Sequence, residues 1–300
     1  MSWYAVESLD DALAETKSLL VPVDVGVWVR LAVIALFAGL SPPQAPTASV
    51  DIPPQAVVDY GEAFTRPEFI ATALSLLAIG IVVVLAFAAV GAVMEFVLVD
   101  ALRTRNVRLL APLRERLGPG LRLFGFRLLV LFAVLLAAAG VAVPVFFAAT
   151  TDAVLVLLAL VVSVPLFAVV GAVAALVSEF TTAFVVPLMA EHGSGVLDGW
   201  RRFWPTLRAE WREFAVYVLV KIVLLVGVGI VFGLVGAIVA VPVGLAVFGA
   251  AITPLALVAV AVAGLVGFVV LAAVSVPIMT ALRYHSLRTL AASEAAFTLR

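Results

Sequence analysis

Five ionisable side chains stand inside or at the edge of stretches that are otherwise apolar: Arg30, Glu95, Arg127, Glu179 and Lys221. Glu179 is the sharpest case, because the run before it, 153–178, holds no charged residue. A carboxylate placed like this carries a proton or ion, pairs with a base, or marks where the hydrocarbon ends. Other chemistry is poorly supplied. His192 and His285, without any cysteine, make a weak zinc set, since such sites draw three or four ligands at spacings such as H-E-x-x-H. Ser178 and Ser275 have no histidine at helical reach to act as a base. No G-x-x-x-x-G-K-[ST] loop occurs, and Gly227, Gly229, Gly233, Gly236 and Gly244 read as small positions for close helix packing. No catalytic residue, metal or cofactor is assigned, and the chain is not expected to be an enzyme.

The medium that positions these residues follows from composition. Of 300 residues, 65% are hydrophobic and 12% charged, and the mean hydropathy is +1.26. A soluble domain is roughly half apolar and about a quarter charged. So much apolar surface needs lipid as its solvent, and residues 1–300 read as one integral membrane domain. A net charge of −1 argues against a nucleic-acid partner, which calls for clustered, unbalanced Lys and Arg. The absence of cysteine excludes disulfides and thiol chemistry. The first residues are acidic and lack a long apolar core, so they do not read as a signal peptide.

Crossing a bilayer takes roughly 20 apolar residues in a helix. Charge-free runs occur at 31–50, 69–94, 128–151, 153–178 and 222–282. The last is too long for one span and divides at Pro242 and Pro254; the first opens near Val25, behind Asp24 as an N-cap. The expectation is an all-α, polytopic membrane bundle of about six helices, at 25–41, 69–99, 124–149, 153–186, 214–241 and 255–282. A β-barrel is disfavoured because the runs are apolar on every face rather than alternating.

Basic residues set the expected orientation. Arg103, Arg105, Arg108, Arg114, Arg116 and Arg122 fall in the 100–123 segment, and Arg201, Arg202, Arg208 and Arg212 in the 187–213 segment. Arg283, Arg288 and Arg300 fall in the 283–300 tail, whereas 41–68 holds only Arg66 beside Asp51, Asp59, Glu62 and Glu68. A multi-pass protein of the cell membrane is therefore expected. Its 1–24 segment, its two Arg-rich segments and its tail lie in the cytoplasm, and 41–68 lies outside. Glu95 and Glu179 then come about 39 Å from the starts of their helices, at 1.5 Å per residue. That is beyond a hydrocarbon core of roughly 30 Å. Arg127 and Lys221 reach the same inner edge, while Arg30 sits deeper. Structural pairing at that edge is the favoured reading, with transport or proton carriage as its alternative. Three bases against two acids leave one positive charge over, suited to a lipid phosphate.

"FAAVGAV" at 87–93 recurs as "FAVVGAV" at 167–173. Each even helix also leads through a polar or amphipathic segment into the next odd one. Three repeated hairpins with cytoplasmic amphipathic helices, or a bundle without internal symmetry, both fit. In 196–215 the aromatic residues recur at helical spacing and Pro205 interrupts them. Trp200, Arg201, Arg202, Trp204, Arg208, Trp211 and Arg212 read either as an aromatic belt with a positive-inside signal or as a collar that binds lipid or a partner.

The stretches "MSWYAVESLDDAL", "EFVLVDALRTRNVRL…GLRLFGFR" and "VVPLMAEHGSGVLDGWRRFWPTLRAEWREFAVYVLVKIVL" resemble an uncharacterised group of six-helix membrane proteins from haloarchaea, over the whole chain. More distantly, a returning helix, "P-L-M-x-E-x-G", an amphipathic helix and another span are similar to the membrane domain attached to some glycerophosphodiester phosphodiesterases. The first resemblance implies location and architecture. The second implies no chemistry, since the phosphodiesterase catalytic domain has no counterpart in this sequence.

The expected role is that of a non-enzymatic scaffold or accessory subunit. It would organise membrane lipids or a membrane protein partner at the cytoplasmic face. The alternative is a transporter or flippase-like protein for an apolar or lipid substrate.

Overall fold

The structure is a computed structural model that describes residues 3–38, 66–149, 153–249, 254–293 and 297. These form α1 (Tyr4–Leu20), α2 (Val25–Ala38), α3 (Pro67–Thr104), α4 (Leu110–Glu115), α5 (Leu117–Ala149) and α6 (Ala153–Phe180). A π-helical turn (Thr181–Val185) joins α6 to α7 (Val186–His192), and α8 (Val196–Ala209), α9 (Trp211–Gly249) and α10 (Pro254–Ala292) follow. No strand occurs among the described residues. Five stretches are long and apolar enough to cross a membrane: Pro67–Thr104, Leu117–Phe147, Val154–His192, Trp211–Ile238 and Ala261–Ala292; Val25–Ala38 is a shorter apolar helix. The chain is an all-α polytopic bundle of the membrane type. Most of the expected external segment 41–68, with Asp51, Asp59 and Glu62, lies outside the described residues, as does Arg300.

Local chemistry explains the boundaries. Asp24 caps α2, its Oδ1 accepting the N–H groups of Gly26 at 2.7 Å and Val27 at 3.2 Å. Pro67 and Pro254 open α3 and α10, where a missing N–H costs nothing. The third, fifth and sixth spans run further than the sequence suggested: α5 begins at Leu117, α9 passes through Pro242, which does not divide it, to Gly249, and α10 continues to Ala292. Pro144, Pro165 and Pro277 lie inside helices without ending them. Among the described residues only Pro187 coincides with a change of helix type, directly after the π turn.

The spans pack as pairs, α2 with α3, α5 with α6 and α9 with α10, and α3 also packs on α5 and α10 on α2. Between α6 and α9 no comparable packing occurs among the described residues. The repeated heptapeptide does not mark equivalent places. A Cβ on Gly91 would meet the Phe37 carbonyl oxygen of α2 at 2.6 Å, while Gly171 has open space.

Burial is concentrated at one end. Residues 67–88 of α3 are exposed all round, whereas Gly91–Val99 are buried without interruption. The stretch 67–90 is about 36 Å long, enough to fill a hydrocarbon core of roughly 30 Å. The protein core therefore begins just past a stretch long enough to cross the hydrocarbon. It gathers Phe96, Leu102, Phe184, Met189, Phe203, Tyr217, Tyr284 and Leu290, all 2% exposed or less. We call this the basic end.

Two helices close it. The buried residues of α1 are Ala5, Ser8, Ala12, Thr16 and Leu20, three or four residues apart and so on one face. That face of small side chains lies on α10, with Ser8 Oγ 3.0 Å from Thr289 Oγ1. Glu15 accepts from Arg288 and stands 3.7 Å from Arg105. The Tyr4 hydroxyl donates to Glu210. Burial first, and then that bond, push the phenol pKa up, so the donor stays protonated at ordinary pH. The other helix, α8, buries Val196, Gly199, Phe203 and Thr206. Phe203 stacks on Phe184 with centroids 5.1 Å apart and meets Phe214 edge-on at 5.1 Å. The apolar face of this amphipathic helix thus rests on protein.

One close approach yields a test. A Cβ on Gly120 of α5 would lie 2.4 Å from Val93 Cγ2 and 2.7 Å from Val93 Cα of α3. Because the second contact is backbone, rotamer change cannot relieve it. Gly120→Ala is expected to cost about 1–3 kcal/mol. Gly125→Ala in the same helix, with nothing within 4 Å, should be neutral or gain up to about 1 kcal/mol. Thermal unfolding in detergent reads the difference in sign.

Candidate functional site

The basic end holds a layer of charges built around the π turn. Glu95 of α3 is 2% exposed. Its Oε1 accepts from Arg127 Nη2 of α5 at 3.0 Å, and its Oε2 accepts from Arg283 Nη2 of α10. Both carboxylate oxygens are thereby engaged by bases from two other helices. Arg127 Nη2 also donates to Thr182 Oγ1 at 3.0 Å, and Arg283 Nη1 donates to the Thr182 carbonyl oxygen at 2.7 Å.

That last bond has a cause in the sequence. Within the π turn the Val186 N–H reaches back five residues to the Thr181 carbonyl. The next acceptor in the pattern, the Thr182 carbonyl, would take the N–H of residue 187. Residue 187 is proline and has none. A buried carbonyl left without a donor is costly, and the Arg283 guanidinium supplies the donor. Thr181 is engaged on its other side, its Oγ1 accepting from Trp200 Nε1 of α8 at 3.0 Å.

A second group lies beside the first. Lys221 Nζ of α9 stands 3.0 Å from Glu179 Oε1, which also accepts from the Tyr217 hydroxyl at 3.0 Å. Lys221 is part-buried, and Glu179 is a third exposed. Tyr217 OH lies 2.8 Å from Ser286 Oγ. Its ring stacks on His285 with centroids 5.3 Å apart and planes 13° off parallel. His285 Nε2 is 2.8 Å from the Ala5 carbonyl oxygen, so Nε2 carries a proton, since a carbonyl only accepts. This group ties α6 to α9 where their spans do not otherwise pack. At the rim, Arg116 grips Asp100 through two bonds of 2.7 and 2.9 Å, and Arg103 stands 3.5 Å from Glu191.

Of the five charges singled out in the sequence, four lie in these groups. Arg30 does not: it is exposed, and its Nη1 donates to the Val107 carbonyl at 3.3 Å. Arg283 and His285, assigned from sequence to the tail, lie instead inside α10 and are buried. The available signal was periodicity: Val276, Thr280, Arg283, Leu287 and Leu290 follow one another at helical spacing across the place where the charge-free run stops.

The aromatic and basic residues of 200–212 divide between two faces. Trp200 points inward to Thr181. Trp204 and Arg208 are exposed and fall on one line of α8 with exposed Leu197 and Arg201, and Trp211, the first residue of α9, is exposed too. Arg202 and Arg212 are exposed as well, and the Arg212 guanidinium stands 5.6 Å from the Trp211 ring centroid. Arg201 lies 3.4 Å from Asp198. Among the described residues no three His, Asp or Glu side chains gather where a metal ion would sit.

No curated protein and no solved structure matches the chain. A model described as a family of unknown function, DUF7544, matches residues 3–300, and the chain belongs to that family.

Proposed function

We propose that this protein is a non-enzymatic membrane scaffold or accessory subunit that presents a rigid, basic, tryptophan-bearing face to lipids or to a membrane protein partner. In this reading the basic end lies in the cytoplasm with both termini, as the distribution of arginine indicates. We also infer that the haloarchaeal six-helix group and this family are one, and that the likeness to the phosphodiesterase membrane domain is one of layout. The charge groups around Glu95 and Glu179 serve as struts that hold helix ends together.

One observation carries the reading. The line Leu197, Arg201, Trp204 and Arg208 on α8 faces away from the core, exposed Trp211 follows at the start of α9, and α8 is locked into the core by Phe203 and, at its flank, Trp200. Exposed tryptophan and arginine on a pre-ordered helix suit recognition, because little conformational entropy is lost when a partner lands.

Native mass spectrometry of protein extracted gently from its own membranes tests this. A stoichiometric partner is expected, released from the Trp204→Ala/Arg208→Ala/Trp211→Ala variant. If the partner stays bound to that variant, or if neither a partner nor a lipid is retained, the reading fails. A second reading, a flippase-like carrier of an apolar or lipid substrate, is favoured by the loose contact between α6 and α9. It predicts lipid movement in proteoliposomes that stops when α6 and α9 are cross-linked.

A further inference from the structure

The arginines of the 103–116 segment are not alike. Arg103, Arg105 and Arg116 each face a carboxylate: Glu191, Glu15 and Asp100. Arg114 has no carboxylate partner among the described residues, and neither have two arginines that stand together, Arg108 and Arg30 of α2. These two line the same open cleft of about 490 Å³, formed between α2 and residues 106–111. Asn106 adds an amide, and the bond from Arg30 to the Val107 carbonyl fixes its guanidinium along the cleft wall.

The cleft lies at a boundary between polar and apolar surface. Arg30 stands about 8 Å above the start of α2. Leu110 on the facing wall is 76% exposed, Ala111 beside it is exposed, and Val29 is exposed about 100° round α2 from Arg30. A ligand seated here meets two cations and an amide at one end and bare aliphatic surface beside them. That is the chemistry of an anionic amphiphile. A free phosphate would use the cations and leave the aliphatic walls in contact with nothing.

We propose that the Arg30/Asn106/Arg108 cleft holds the phosphate headgroup of an anionic phospholipid, with its acyl chains running along the apolar flank of α2. The guanidiniums would take the phosphate oxygens by charge-assisted hydrogen bonds. This deepens the scaffold reading by naming a lipid class for the basic end, and it rests on that reading for its place at the membrane surface.

The test uses the whole purified chain in detergent. Dioleoyl phosphatidylglycerol and dioleoyl phosphatidylcholine, equal in acyl chains, are added at matched concentration, and adducts are counted by native mass spectrometry. We expect at least fivefold more phosphatidylglycerol bound, with the Arg30→Gln/Arg108→Gln variant falling to the phosphatidylcholine level. The Arg114→Gln/Arg122→Gln variant removes the same charge from exposed positions outside the cleft and should keep the preference. Millimolar inorganic phosphate should not displace the lipid. Equal binding of both lipids overturns the proposal, and that result needs no variant. Equal loss in the two variants, or displacement by inorganic phosphate, overturns it too. A partner held through α8 without any phosphatidylglycerol preference would sink this site and leave the platform reading intact.

Discussion

Glu95→Gln is expected to lower stability in detergent by about 3–5 kcal/mol, the range seen when one partner of a buried ion pair is removed. The substitution keeps the shape of the side chain and removes only its charge. Arg127 and Arg283 then face each other across a neutral amide, with Arg283 buried and Arg127 a third exposed. Glu179→Gln should cost far less, on the order of 1 kcal/mol, because that side chain is a third exposed and water can screen Lys221. Replacing Glu95, Arg127 and Arg283 together by Leu and Met should recover part of the loss, since apolar packing replaces the buried ion pairs while the Thr182 carbonyl still loses its Arg283 donor. Thermal or sodium dodecyl sulfate unfolding of the three proteins reads the order. Equal losses for the two glutamates, or a triple variant no better than Glu95→Gln, would refute the account of Glu95 as the hub.

Much of this layer is legible in the sequence because charges in apolar runs are few. Glu95, Arg127, Glu179 and Lys221 stand out singly, and helix length alone puts them near one edge. Periodicity and the count of apolar runs also give the helical, polytopic architecture. Arg283 is not legible in the same way. It follows a charge-free run by one position, and such a residue reads equally well as the first of a tail. What decides its place is a vacancy on another helix, at Thr182, which exists only because Pro187 is five residues further on. The orientation of α8 is a similar case. The helical spacing of its aromatic residues shows that one face is apolar, but lipid and protein both satisfy an apolar face. Only the cluster of Phe180, Phe184 and Phe214 against Phe203 selects protein. Arg30 shows the converse. Its spacing along α2 suggested a place in the same charge layer, yet the chain before α4 turns so that the Val107 carbonyl meets it first.

The vacancy itself can be measured. Arg283→Met should destabilise the protein by about 1–3 kcal/mol, since the part-buried Thr182 carbonyl is left without a donor while Glu95 keeps Arg127. Pro187→Ala restores an N–H at the position the π turn calls for, and should change stability little on its own. In the Pro187→Ala background Arg283→Met is then expected to cost about 1 kcal/mol less than in the native chain. Contacting residues commonly show coupling of about 0.5–3 kcal/mol in such a cycle. If the two substitutions add within about 0.5 kcal/mol, Arg283 is held by Glu95 alone and the π turn does not need it. Coupling would instead mean that a proline in α7 is the reason a cation is drawn into α10. The sixth span would then extend past its apolar run because a carbonyl on another helix needs its guanidinium.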